Sequence, residues 1–183
     1  MPTISGFATT NAVVTTGWTN PTNAYANDGV YATATIAAKN TIVSSRFGGF
    51  GVAGSLPGGA SINSVTVNAE MKVSTTASIA QLGVQAQSPS ATNRGTQTLD
   101  VSEPLADTVI VQTVLSSAFA WTATDIADGT LFAVIEANQG NSTTSCTYSL
   151  DYVQVVVDYS LVSAPKQRSI GSNRSRLVRA SSW

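Results

Sequence analysis

The sequence predicts an all-β fold, an antiparallel β-sandwich of jelly-roll type with an N-terminal arm and a basic C-terminal extension. Three observations carry this. Short stretches in which apolar and polar residues alternate recur along the chain, split by Gly, Pro and Asn turns; alternation with period two is the mark of a strand with one face buried. No long stretch follows the 3.6-residue period of an amphipathic helix. Hydrophobic residues make up 43% of the 183, enough for a sizeable core, while charged residues are only 10% against a usual quarter. A polar but uncharged surface suits extracellular or particle-surface β proteins better than cytosolic enzymes, because it is cheap to desolvate against a neighbour.

Residues 1–17 are Thr- and Ala-rich and read as an N-terminal arm or edge strand. The stretch from Trp18 to Thr35 follows. Asn20-Pro21 and Asn23 are turn chemistry, and Asp28-Gly29 is a tight-turn dipeptide because glycine takes positive φ at little cost. Beyond it Ala32, Ala34 and Ile36 alternate with Tyr31, Thr33 and Thr35 as a strand. Residues 40–53 read as a strand running into a Gly-rich bulge at a sheet edge, and Leu56–Ala60 is a turn. From Ser61 to Ser74 the residues Val65, Val67, Ala69, Met71 and Val73 share one face, with Thr66, Asn68, Glu70 and Lys72 on the other.

Ile79–Gln87 repeats this pattern with Leu82, Val84 and Ala86 inward, and Ser88–Thr98 reads as a loop. Asp107–Leu115 is a strand apolar on both faces in part. Thr122 or Thr124 is placed to cap one helical turn that Gly129 would end. Leu131–Ala137 and Tyr148–Leu161 supply the last strands, the latter with Val153, Val155, Val157 and Tyr159 on one face. The body therefore spans 18–163, and a boundary falls at Ala164-Pro165.

Beyond that boundary the charge changes sign. Lys166, Arg168, Arg174, Arg176 and Arg179 face no acid, giving the segment +5. Lys39, Arg46, Lys72 and Arg94 stand against all ten acids in the rest of the chain, a net −6. Residues 164–183, ending at Trp183, read as an interaction arm for acidic surface on a neighbouring subunit, with nucleic acid phosphate the less favoured partner.

Catalytic chemistry finds little here. The chain has no histidine, which removes the commonest general base and transition-metal ligand. Cys146 is the single cysteine and lacks a histidine to activate it, so it reads as a small filler. Gly48-Gly49 and Gly51 are not followed by the Lys-Ser/Thr of a phosphate loop. Asp100, Glu103 and Asp107, and Asp125 with Asp128, invite readings as paired carboxylates or a calcium loop, but the ligand density of a calcium loop is lacking, Asp125 and Asp28 fit turn and cap chemistry, and none rises to a site. No catalytic, cofactor or metal residue is therefore assigned. No signal peptide is visible, and no window approaches a membrane-spanning helix, so no membrane partner is expected.

With its strands laid out, the chain resembles small β-sandwich virion structural proteins of tailed bacteriophages. The resemblance rests on Trp18-x-Asn20-Pro21-x-Asn23-Ala24-x-Ala26-x-Asp28-Gly29-x-Tyr31-Ala32, on Phe47-Gly48-Gly49-Phe50, on Pro57-Gly58-Gly59-Ala60-x-Ile62, and on Leu150-Asp151-Tyr152-Val153-Gln154-Val155. It runs over roughly residues 18–160 and leaves out the basic segment. It implies a non-enzymatic virion protein made in the host cytoplasm, a homo-oligomer whose partner is the major capsid protein or another virion protein. A capsid decoration (cement) role is the first expectation. A tail-tip or fibre module is the alternative, with Trp18, Tyr25, Tyr31 and Trp121 as an aromatic platform for host glycan. The competing reading of those four rings is plain packing, which aromatics serve far more often.

Overall fold

The computed structural model describes residues 1–76, 80–89 and 91–161. Lys166, Arg168, Arg174, Arg176, Arg179 and Trp183, assigned from the sequence to partner binding, lie outside the described residues.

Ten strands form two antiparallel sheets: β1 (Thr3–Phe7), β2 (Thr10–Val13), β3 (Ala32–Ile36), β4 (Ile42–Gly48), β5 (Ala60–Val73), β6 (Gln81–Gln87), β7 (Asn93–Asp100), β8 (Thr108–Leu115), β9 (Phe132–Asn138) and β10 (Cys146–Leu161). The first sheet runs β3-β10-β5-β8, with β1 sharing β10's edge beyond β3. The second runs β2-β4-β9-β6-β7. From β3 to β10 the strands alternate between sheets in jelly-roll order, with β6 and β7 joined as a hairpin. Residues 3–13, read as arm or edge strand, give one edge strand to each sheet.

The spine is the pair β5 and β10, which hold thirteen residue pairs in register with two shifts, at Leu150/Tyr152 and Asp158/Tyr159. Alternation sets the core. Val65, Val67, Ala69 and Met71 of β5, and Val153, Val155 and Val157 of β10, are fully buried, facing Leu82, Val84 and Ala86 of β6 and Ala133, Ile135 and Ala137 of β9. One inward polar side chain ties the layers together. Gln112 of β8 accepts from the Ala86 amide and donates to the Arg94 and Thr96 carbonyls across the sandwich.

Three stretches differ from the sequence reading. Residues 93–98, read as loop, belong to β7, which pairs with β6 across a register shift at Val84/Ala86. This strand lacks alternation because three residues loop out there, with Gly95 at φ +67°. The Gly-rich stretch is not an edge bulge: β4 sits between β2 and β9, ends at Gly48, and turns through Gly49 and Gly51 at positive φ into one helical turn, Val52–Ser55. Residues 122–130 form successive turns, Thr122 donating to the Asp125 carboxylate and Asp125 N–H to the Thr122 carbonyl, with no helix. β8 is apolar on both faces in part, as read from the sequence: Ile110 and Val114 face in with Gln112, while Val109, Val111 and Leu115 stand exposed.

Candidate functional site

Two of the motif segments, Trp18–Ala32 and Leu150–Val155, meet at the bulge in β10. Asn23 donates its side-chain amide to the Tyr31 carbonyl at 3.0 Å, closing the loop that begins at Asn20. The Gly29 amide donates to Asp151 Oδ1 at 3.0 Å, and Tyr25 bridges to Tyr152 through the backbone. Asp151 sits at the β10 register shift, 2% exposed, and pins the Asp28-Gly29 turn to the spine. The Trp18–Ala32 and Leu150–Val155 segments thus form one folding unit.

The four aromatics of the glycan reading do not share a surface. Trp18 is buried in the core. Trp121 is 7% exposed, donates its indole N–H to the Val114 carbonyl, and meets Phe119 edge-on at 4.7 Å between centroids. It walls a cleft of about 300 Å³ with Ile62, Ser116 and Ala120, but offers no free face. Tyr25, half-buried, donates to Asn11 Oδ1, and burial pushes its phenol above the usual range. Tyr31 donates to Asp107 while Lys72 lies 3.9 Å over its ring. Each ring has its own neighbours, as packing requires.

The acids divide cleanly. Eight of the ten accept hydrogen bonds inside the chain: Asp28, Asp100, Glu103, Asp107, Asp125, Asp128, Asp151 and Asp158. Asp128 holds the Gly51 turn, and Asp28 and Asp100 each cap a turn two residues on. Glu70 and Glu136 remain, one on the outer face of each sheet. They lie on opposite sides of the sandwich and form no pair. Cys146 is fully buried beneath β3 and β5. Among the described residues no group of three or more His, Cys, Asp or Glu side chains is placed to hold a metal.

What remains is two outer faces of different chemistry. The outer face of the first sheet carries Ser5 and Phe7 of β1, Tyr152, Gln154 and Val156 of β10, Thr66, Asn68, Glu70 and Lys72 of β5, and Val109, Val111, Thr113 and Leu115 of β8. Its polar groups satisfy one another: Thr66 with Thr113 at 3.0 Å, Asn68 donating to Gln154 at 3.3 Å, Lys72 with Asp107 at 3.2 Å. Phe7 meets Tyr152 edge-on at 5.7 Å. Desolvation raises the Glu70 carboxyl, Asp107 and Asp151 raise it further, and Lys72 offsets part. Desolvation also raises the Tyr152 phenol, with Glu70 and Asp151 adding to it.

The outer face of the second sheet is built from long amides. Register places Ile42, Asn138 and Gln81 in one row, Ser44, Glu136, Gly83 and Leu99 in the next, then Arg46, Val134 and Gln85, and last Gly48, Phe132, Gln87 and Asn93. Their opposites in sequence all point into the core, which fixes these side chains outward. The sequence reading passed over this face. Its signal was present: in Gln81-Leu82-Gly83-Val84-Gln85-Ala86-Gln87 every outward position is glutamine or glycine.

No protein-family model matches the chain, and no curated protein matches it. Several solved structures are similar in fold. One described as "CBM4 structure and function" is 14% identical, covering 86% of this chain and 94% of its own, with a TM-score of 0.45. A xylan-binding module, CBM15, is 16% identical over 85% of this chain and 95% of its own, at 0.40. A structure of the infectious bursal disease virus Gt strain is 15% identical over 70% of this chain and 33% of its own, at 0.32. At these identities the likeness is one of fold, and no functional statement about this chain follows from it. The chain is an antiparallel β-sandwich.

Proposed function

We propose that this chain is a non-enzymatic structural protein of a tailed-phage particle, and that it decorates and cements the capsid shell. The observation that supports it is the outer face of the first sheet. Four strands across and thirteen paired residues long, it offers on the order of 600–800 Å² of nearly flat surface. That is about what one partner contributes to a standard protein interface. Phe7, Val109, Val111 and Leu115 are exposed on it, charges are few, and its hydroxyls and amides are already paired. Such a face is cheap to desolvate and binds by shape and apolar contact. The basic segment 164–183 adds a second attachment of opposite sign to the body, and two linked contacts bind more tightly than either alone. Because the full contact exists only on the assembled lattice, binding shifts the equilibrium toward the assembled shell.

The test is binding of the purified protein to expanded, undecorated heads, with and without residues 166–183. Saturable binding at a fixed stoichiometry per capsomer, with a rise in shell melting temperature, supports the cement role. Loss of binding on truncation assigns the anchor to the basic segment. Binding to tails in place of heads sinks the capsid role and moves the protein to the tail.

A further inference from the structure

We infer that the outer face of the second sheet is a binding site for a neutral, hydroxyl-rich ligand, a glycan chain. This inference is independent of the capsid role, because it concerns the opposite side of the sandwich.

The face is prearranged. Arg46 Nε donates to Gln87 Oε1 at 2.8 Å, and Gln87 Nε2 donates to Asn93 Oδ1 at 2.8 Å, so three side chains on three strands hold one another in line. Gln85 commits its amide N–H groups to the Ala86 and Arg94 carbonyls, at 3.0 and 2.8 Å. Its Oε1 is left as a fixed acceptor. Asn138 donates to Gln81 Oε1 at 3.4 Å, leaving the Gln81 amide N–H groups available. Gln85 is 4% exposed and Gln87 8%, so these two are buried supports: Gln87 holds Arg46 and Asn93 in place, and those more open groups would lose little freedom on binding.

The open groups are complementary to hydroxyls. Arg46 keeps its terminal N–H donors, and Asn93 its amide donors. Glu136, one row along on the adjacent strand, accepts no hydrogen bond and makes no ion pair with Arg46 among the described residues. The Arg46 head leans toward Gln87, one row away on the side opposite Glu136, so the two offer a donor and an acceptor at separate points along the face. A sugar hydroxyl both donates and accepts, and vicinal hydroxyls match planar amide, guanidinium and carboxylate heads in pairs. Gly83 has no side chain, and the Gln97 side chain fills the space above it, against Glu136. Phe132, half-buried, lays its ring against Gly48 at the far row and offers an apolar edge. Four rows two residues apart run about 20 Å along the strands, room for a short oligosaccharide.

Other ligand classes fit less well. Phosphate chains need several cations, and this face has Arg46 balanced by Glu136. A divalent cation needs more carboxylate oxygens than one glutamate supplies. A protein partner would find exposed aliphatics here only at Ile42 of β4 and Leu99 of β7, where the other face lines up Val109, Val111 and Leu115 along one strand.

The test uses the full chain on an array of neutral glycans with anionic glycans as controls, followed by titration calorimetry on the best binder. We expect retention on neutral glycans that 0.5 M salt leaves largely intact. Arg46→Ala and Glu136→Ala should each weaken binding tenfold or more, Glu136→Gln less, and Val111→Lys on the opposite face not at all. Thermal unfolding of each variant within a few degrees of the parent separates lost contact from lost fold. No retention on any neutral glycan overturns the inference. So does binding that Arg46→Ala and Glu136→Ala leave unchanged, or binding confined to anionic glycans and abolished by salt.

Discussion

The two outer faces of the sandwich share one core and differ in how their side chains are finished. On the first sheet, β-branched and aliphatic residues alternate with short polar groups, and the polar groups pair across strands: Thr66 with Thr113, Thr35 with Thr147 at 2.9 Å, Asn68 with Gln154. Such pairs contribute roughly 0.2–1 kcal/mol each to the sheet. On the second sheet, long amides bond to backbone and to each other with one end, while Arg46, Glu136 and Asn93 keep groups without a partner among the described residues. Inside, both sheets use the same Val, Ala, Leu and Ile alternation. Folding constrains the inner positions and leaves the outer ones open, so the outer residues report what the surface meets. The first face is suited to another flat surface, the second to a ligand that brings its own donors and acceptors.

The largest expected effects destroy both faces together. A Cβ on Gly6 would stand 1.8 Å from the Phe50 carbonyl oxygen, a backbone atom that cannot swing aside. Gly6→Ala should therefore cost about 3 kcal/mol or more, by prying β1 from β10 or displacing the 49–51 turn. An unchanged denaturant midpoint for this variant would mean that the close approach is absent. Leu82→Ala, beneath the amide face and fully buried, should cost about 2–5 kcal/mol. Both variants should lose head binding and glycan binding in parallel with folded population, which makes them controls for every face-specific change.

The next pair separates the faces. Val111, exposed at the centre of β8, can be replaced by lysine with about 0.5 kcal/mol or less of stability change. Its head binding should fall tenfold or more, because a charge is then buried against the partner, while glycan retention stays intact. Gly83→Ala should do the converse. Its Cβ would meet Gln97 Nε2 at 2.4 Å and Glu136 Cβ at 3.2 Å. Gln97 is the far end of a flexible side chain and can move, so stability should drop by about 1 kcal/mol or less. The displaced amide and crowded Glu136 should lower glycan affinity. Sedimentation with heads and glycan titration on the same two proteins would read both effects. If each variant weakens both activities equally, the division of labour between the faces is wrong.

How far the sequence could be read follows from the same asymmetry. Strands whose one face is buried and other wet, β3, β5, β6 and β10, were legible because alternation survives in the letters. β7 was not: three residues loop out at Gly95, and its outward and inward residues no longer alternate. The aromatic cluster looked like a platform because Trp18, Tyr25 and Tyr31 are close in sequence, whereas the fold sends each to different neighbours. Asp28 and Asp125 were read as turn chemistry, and their hydrogen bonds to Val30 and Thr122 agree; Asp107 and Glu103 bond instead to Tyr31 and Ala80, far away in sequence. The amide face stayed hidden because it is assembled from β4, β6, β7 and β9, which meet only through long-range register.

The smallest expected effect concerns pH and the first face alone. Glu70 stands beside Tyr152, Asp151, Asp107 and Lys72, and desolvation first, then the two aspartates, hold its pKa above the ordinary 4.5. A carboxyl raised on folding binds more protons in the native state, so stability falls as pH climbs from 4.5 through the raised value, and the penalty is fully present at neutrality. Glu70→Gln should remove that penalty, raising stability at pH 7 by about 0.5 kcal/mol or less, since the group is half-buried and solvent still screens it. Lys72→Met should do the reverse for the wild-type Glu70, because Lys72 is the neighbour that lowers it. Denaturant midpoints at pH 4.5 and 7 measure both. A glutamine variant whose midpoint moves with pH just as the parent's does would show that Glu70 carries no strain, and that the first face is electrostatically indifferent from edge to edge.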